Sequence, residues 1–206
     1  MHRKNIVTAG IPLEAASQAL ILLHGRGAGA EDILSLSAHL QADQFALLAP
    51  QATNHTWYPF SFLAPPAQNE PWLSSALALI NNIVEEVIQA GIPSQQIYLA
   101  GFSQGACLTL EYAARNARRW GGLIAFTGGL IGDRIYPGNY SGNFAGTPVF
   151  IGSSDPDPHV PVERVEATAS LMSEMGAAVT KKIYSNLGHT INEDEIKQAN
   201  KILTGL

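Results

Sequence analysis

Ile97-Tyr98-Leu99-Ala100-Gly101-Phe102-Ser103-Gln104-Gly105-Ala106 is the stretch on which the reading of this chain turns. An apolar run leads into Gly-x-Ser-x-Gly, and a helix-like segment opens at Ala106. That context suits a nucleophile elbow, a sharp strand-to-helix turn that leaves a serine hydroxyl exposed. A serine hydroxyl is a weak nucleophile near neutral pH. It needs an imidazole to take its proton and backbone N–H groups to meet the oxyanion. Gly101 and Gly105 relieve the crowding that such a turn creates. In a chain with 19 glycines the five-residue pattern carries little information by itself. The strand before it and the helix after it give it meaning.

Outward from the elbow, short apolar runs alternate with amphipathic segments, the pattern of a mainly parallel sheet with helices on both faces. The expected strands are Ala19 to Leu23, Phe45 to Ala49, Ile97 to Ala100, Gly122 to Phe126, Pro148 to Ile151 and Val179 to Tyr184, with Lys4 to Thr8 as a possible edge strand. Trp72 to Ala90 places Trp72, Ala76, Leu79, Ile80, Ile83 and Val87 on one helical face, between Pro71 and Gly91. Val162, Val165, Ala169, Met172 and Met175 repeat at helical spacing between Pro161 and Gly176. Asn192 followed by Glu195 predicts a capping box for the last helix, with Ile191 and Ile196 as a hydrophobic staple. The expected fold class is therefore α/β, in one domain over residues 1–206.

Two connections are long for a compact domain, Gln51 to Pro71 and Gly128 to Thr147. The first carries Trp57, Tyr58, Phe60, Phe62 and Leu63, and the second Ile131, Ile135, Tyr136, Tyr140 and Phe144. That is too much apolar surface for solvated linkers. Both are expected to fold over the sheet edge as pocket walls, with Trp57 and Tyr58 binding substrate.

Composition narrows the function classes. The chain has 46% hydrophobic and 14% charged residues and a net charge of -5. This disfavours nucleic acid as a partner, because phosphate binding needs clustered Lys and Arg. No apolar run approaches the ~18 residues that span a bilayer, so no stable membrane insertion is expected. The start, Met1-His2-Arg3-Lys4, is followed by Pro12 and Glu14 rather than by the apolar core of a signal peptide. The one cysteine, Cys107, excludes an intrachain disulfide and fits a reducing compartment. The expected location is cytoplasmic.

In serine hydrolases built on such a sheet the nucleophile, acid and base follow in the order Ser, Asp, His from successive strand ends. After Ile151 comes Gly152-Ser153-Ser154-Asp155-Pro156-Asp157-Pro158-His159-Val160-Pro161, a loop of acids before a helix. After Tyr184 comes Asn186-Leu187-Gly188-His189, an imidazole before the last helix. Each would emerge at the carboxyl edge of a parallel strand and converge with Ser103 in one crevice. His189 is the expected base. His159 stands too close in sequence to Asp157 to face that carboxylate across a cleft, and His2, His39 and His55 read as surface residues. Asp155 and Asp157 both qualify as the acid.

The oxyanion needs two donors. One is the N–H of Gln104, at the amino end of the helix after the elbow. The other is assigned to the N–H of Arg26 in His24-Gly25-Arg26-Gly27-Ala28-Gly29, whose glycines allow a close backbone approach. Gly25 to Ala30 also satisfies G-x-G-x-x-A and raises a dinucleotide-binding rival. That reading requires an acid at the end of the next strand, where Pro50-Gln51 stands instead. Cys107 reads as a buried structural thiol. No spacing resembles a zinc or calcium site, so no metal and no cofactor are expected.

These residues resemble the phospholipase/carboxylesterase family of α/β-hydrolases, which contains bacterial carboxylesterases and acyl-protein thioesterases. The resemblance rests on Leu23-His24-Gly25 and the glycines after it, Gly91-Ile92-Pro93-Ser94, Gly101-Phe102-Ser103-Gln104-Gly105-Ala106, Asp157-Pro158-His159-Val160-Pro161 and Gly188-His189. It implies an α/β-hydrolase fold and cleavage of small-molecule carboxylic esters, with Ser103 as nucleophile, His189 as base and oxyanion donors at Arg26 and Gln104. For the acid the family's spacing from the strand-end glycine selects Asp155, and its spacing to Val-Pro selects Asp157. Asp157 is preferred because the helix start positions it. Thr56-Trp57-Tyr58-Pro59 stands where the thioesterase members carry Trp-Phe-Asp. The alternative to an enzyme is a module that keeps the hydrolase frame and only binds a small ligand.

Overall fold

The computed structural model describes residues 1–205. Seven strands form one sheet: β1 (Ile6–Gly10), β2 (Gln18–Leu23), β3 (Phe45–Pro50), β4 (Ile97–Phe102), β5 (Gly122–Phe126), β6 (Pro148–Asp155) and β7 (Ala178–Ser185). Their spatial order is β1-β3-β2-β4-β5-β6-β7, with β1 antiparallel to β3 and every other pairing parallel. All six expected main strands are present, and the antiparallel edge strand lies two residues later than expected. The α/β class follows from the apolar runs, because a parallel sheet is covered on both faces and its strands need not alternate with polar residues.

The period of two still sorts the core. In β4, Ile97 and Leu99 join one apolar cluster while Tyr98 and Ala100 join the other; in β2, Ile21 and Leu23 part from Leu20 and Leu22 in the same way. The first cluster takes the buried stripes of α2 (Trp72–Gln89), α3 (Gln104–Arg115) and α4 (Val162–Glu174). The second takes Ile33 and Leu34 of α1 (Ala30–Ser35) and Ala199 and Leu203 of α5 (Glu193–Thr204). Helix α1 is six residues long, too short for a 3.6-residue repeat to show in sequence. Among the described residues no helix is long and apolar enough to cross a membrane.

β6 runs four residues beyond its apolar core. The ladder with β7 continues from Gly152 opposite Lys182 to Asp155 opposite Ser185, so backbone pairing outlasts the hydrophobic signal. This extension carries the acid-bearing loop outward. The capping box of α5 forms as expected: Asn192 Oδ1 accepts from Glu195 N at 2.9 Å, and Glu195 Oε2 accepts from Asn192 N at 2.9 Å. Ile191 and Ile196 both pack against the second cluster.

The other carboxylate oxygen of Glu195 is buried against Gly152 of β6, without a partner among the described residues. Burial pushes this carboxyl from 4.5 up to about 7; the Asn192 N–H opposes the shift and Asp194 adds to it. Between pH 4.5 and about 7 the folded protein therefore holds a proton that the unfolded chain has lost. Stability present below that window declines as pH rises through it. Glu195→Gln keeps an acceptor for the cap and removes the titration. Urea unfolding at pH 4.5 and pH 8 should show the wild type losing of order 1–3 kcal/mol more than the variant, at ~1.4 kcal/mol per pKa unit. Parallel stability curves would contradict this.

Candidate active site

Ser103 sits between β4 and α3 at φ 55°, ψ −117°, a backbone conformation that side chains rarely adopt. Its amide donates to Phe126 O at 2.9 Å, which ties the turn to the neighbouring strand. The flanking glycines are required by contact. A Cβ on Gly105 would overlap the Leu23 carbonyl, and one on Gly101 would overlap the backbone of Gly105. The packing that forbids side chains there holds the strained serine up at the carboxyl end of the sheet.

The imidazole reaches it from the loop after β7. His189 Nε2 lies 2.8 Å from Ser103 Oγ, and His189 Nδ1 lies 2.8 Å from Asp157 Oδ2. A carboxylate accepts only, so Nδ1 carries the proton and the Nε2 lone pair faces the serine hydroxyl. The ring stands between Phe102, at a centroid distance of 5.1 Å, and His159, edge-on at 4.9 Å and 81°.

Asp157 is fully held. Oδ1 accepts from His159 N at 2.8 Å and Val160 N at 2.9 Å, while Oδ2 faces His189. Burial alone would raise this carboxyl, but the hydrogen bonds from His189 and from the two amides outweigh it and hold the group below the usual carboxylate range. Asp155, its rival, is the last residue of β6, exposed, and its carbonyl accepts from Asn186 N at 2.9 Å.

The residues of the two expected oxyanion donors line one cleft with the serine. Gln104 N opens α3, and Arg26 N lies in the turn after β2. In that turn Gly27 N donates to His55 O at 2.7 Å and Ala28 N to Gly25 O at 3.3 Å. The Arg26 amide has no acceptor among the described residues.

A cleft of about 760 Å³ opens over these groups, walled by Tyr58 to Leu63 on one side and by Pro158 to Val160 on the other, with Cys107 at its floor. Tyr58 lines it as expected. Trp57 does not: its indole is buried below the cleft, with Nε1 donating to His24 O at 2.9 Å and its ring 5.0 Å from that of His24. The second long loop also differs from expectation. Leu130, Ile131 and Phe144 are buried in the core, and Gly132 N donates to Phe62 O at 2.7 Å, so this loop braces the wall without lining the cleft.

With this arrangement in view, residues 5–205 match the model of the Phospholipase/Carboxylesterase family. The chain belongs to that family. It is 54% identical to a phospholipase/carboxylesterase crystal structure from Dyadobacter fermentans, with a TM-score of 0.97 over 98% of this chain and 97% of the other. Over 214 residues it is 30% identical to acyl-protein thioesterase 1 of Eremothecium gossypii, covering 93% of this chain and 91% of that protein. The carboxylesterase of Bacillus cereus shares the fold, with a TM-score of 0.79 at 20% identity over 98% of this chain and 94% of that one. The α/β-hydrolase architecture expected from the elbow is thus the one this family member has.

Several residues at its site were not legible in advance. Ser154 is buried, and its hydroxyl donates to Pro156 O at 3.0 Å while accepting from Gly188 N at 2.9 Å, joining the acid loop to the histidine loop. A serine beside two aspartates gives no sign of this. His2, expected at the surface, is half-buried between Trp57 and Trp72. Its Nε2 meets Trp57 O at 2.9 Å and its Nδ1 accepts from Thr53 N at 3.1 Å. Burial holds this imidazole below its ordinary pKa. His39 and His55 are exposed as expected. Burial pushes the Cys107 thiol up to about 12, so it stays protonated.

The dinucleotide reading meets an occupied helix end. Ala30 N donates to Gln51 Oε1 at 2.9 Å and Gly29 N to Asp32 Oδ2 at 2.6 Å, so the N–H groups a pyrophosphate would use are already engaged. Among the described residues no three His, Cys, Asp or Glu side chains come together as a metal site.

Proposed function

We propose that this family member cleaves carboxylic esters through an acyl-enzyme, with Ser103 as nucleophile, His189 as base and Asp157 as the orienting acid. The observation that carries the reading is the unbroken chain of two 2.8 Å contacts from Ser103 Oγ through the imidazole to Asp157. Ser103 Oγ attacks the carbonyl carbon as its proton passes to His189 Nε2, and Asp157 stabilises the imidazolium. The oxyanion is met by the amides of Arg26 and Gln104. His189 then returns the proton to the departing alkoxide. Water attacks the acyl-enzyme with His189 again as base, and Ser103 is released. No step calls for a cofactor.

The cleft favours an uncharged, moderately apolar acyl group. Tyr58, Phe60, Phe62, Leu63 and Val160 supply its walls, and the one permanently charged side chain on it, Arg26, is turned onto the wall loop. A panel of p-nitrophenyl esters from acetate to palmitate should give saturable hydrolysis, with kcat/KM highest for uncharged short or medium chains and depressed for a dicarboxylic half-ester. Absence of hydrolysis across the panel would contradict the reading.

A further inference from the structure

The two residues expected to supply the oxyanion amides also share a task in their side chains. Both reach one short stretch, Thr56 to Phe60. Arg26 Nη1 donates to Thr56 Oγ1 at 3.0 Å and Pro59 O at 2.9 Å, and Nη2 donates to Tyr58 O at 2.9 Å and Phe60 O at 2.7 Å. Gln104 Oε1 accepts from Trp57 N at 2.9 Å, and its Nε2 donates to Tyr58 O at 2.8 Å. Three successive carbonyls, 58 to 60, thus converge on one guanidinium. Carbonyl dipoles aimed at one point repel each other unless a cation stands there, and this segment lies outside the sheet and the α-helices.

Arg26 is exposed at the cleft rim, where a single hydrogen bond would contribute little. Four bonds from one planar fork are a different matter, because the fork fixes the acceptors relative to each other; an ammonium group cannot copy that geometry. From there the chain runs directly into the cleft wall, and on the far side Asn69 Oδ1 accepts from Phe60 N at 2.8 Å.

We propose that Arg26 is a positioning residue whose guanidinium clamps Thr56 to Phe60, so that the substrate wall and the oxyanion turn form one rigid unit. The kinetic part rests on the ester-hydrolase reading; the clamp itself does not. Two consequences follow. The Nη edge of Arg26 is not offered to a substrate carboxylate, since its four bonds go to the wall loop. Releasing the guanidinium also loosens the turn that carries the Arg26 amide, so the chemical step suffers along with binding.

Arg26→Met keeps the stem and the backbone N–H and removes the donors, whereas Arg26→Lys keeps the charge without the fork. Amide hydrogen exchange resolved at Trp57 and Phe60 reads the clamp without reference to activity. In both variants these two amides should exchange about tenfold faster, while Leu99 and Ile124 in the sheet stay as in wild type. On a p-nitrophenyl ester kcat should fall about 10²-fold, the cost of ~1 Å misplacement at a reacting centre. Millimolar guanidinium should restore part of the Met variant's rate. Unchanged exchange at Trp57 and Phe60 in Arg26→Met would overturn the clamp, and a wild-type kcat beside faster exchange would overturn its kinetic consequence. Should Arg26→Met fail to fold, Thr56→Val removes one acceptor and should accelerate the same amides by a smaller factor; no acceleration there overturns the proposal equally. Faster exchange in a protein whose wild type hydrolyses no ester supports the clamp and sinks the ester reading. Normal exchange in an active wild type and variant does the reverse.

Discussion

Ser103→Ala is expected to lower kcat on a p-nitrophenyl ester by about 10⁶, the size of loss seen when a triad nucleophile is removed. The magnitude follows from the geometry. His189 Nε2 faces the Ser103 hydroxyl at 2.8 Å, and among the described residues the only other oxygen on its ring nitrogens belongs to Asp157. Removing Oγ leaves the imidazole no alcohol to activate. The residual rate, about 10³–10⁴ over water, would come from the oxyanion amides and from substrate binding. Alanine fills the same strained turn, and the Ser103 amide keeps its bond to Phe126 O, so the melting temperature should hold. Steady-state kinetics on the purified variant checks this; a rate equal to wild type would show that another group is the nucleophile.

Asp157→Asn is expected to cost about 10⁴ in kcat, and Asp155→Asn no more than a few-fold. An asparagine at 157 can still accept from the His159 and Val160 amides. Its NH₂ would then face His189 Nδ1, which must give up its proton to accept, and the Nε2 presented to Ser103 would carry a hydrogen in place of a lone pair. Asp155 makes no such contact; its side chain is exposed at the end of β6. The Asp157 carboxyl is held low, so its hydrogen bonds contribute stability above the ordinary carboxylate range and lose it as pH falls through the depressed value. The Asn variant should lack that acid-side decline. Side-by-side kinetics of the two variants decides between the carboxylates, and a larger loss for Asp155→Asn would reverse the assignment.

Why the sequence left these two acids open is instructive. Counting from Gly152 treats that glycine as a strand end, but the ladder with β7 runs on to Asp155, which makes Asp155 a strand residue. Counting back from Val160 uses the start of α4, and there the carboxylate does meet the imidazole. The sheet and most helices were legible because apolar runs, turn residues and caps agreed locally, as at Asn192 and Glu195. The elbow was legible because only glycine fits at positions 101 and 105. What stayed hidden were side chains whose partners are remote in sequence. Trp57 reads as a substrate-binding wall residue until its indole finds the His24 carbonyl, and the Arg26 side chain has no partner in view until three carbonyls close on it. Ser154 is a loop serine until Gly188, 34 residues away, donates to it.

The most direct measurement of the central claim is phosphonylation by a fluorophosphonate followed by peptide mass spectrometry, in wild type and in His189→Ala. A serine activated by an adjacent imidazole should take one adduct, on Ser103, at a rate that collapses in the histidine variant. An unlabelled wild type, an adduct on another residue, or equal labelling without His189 would contradict the account.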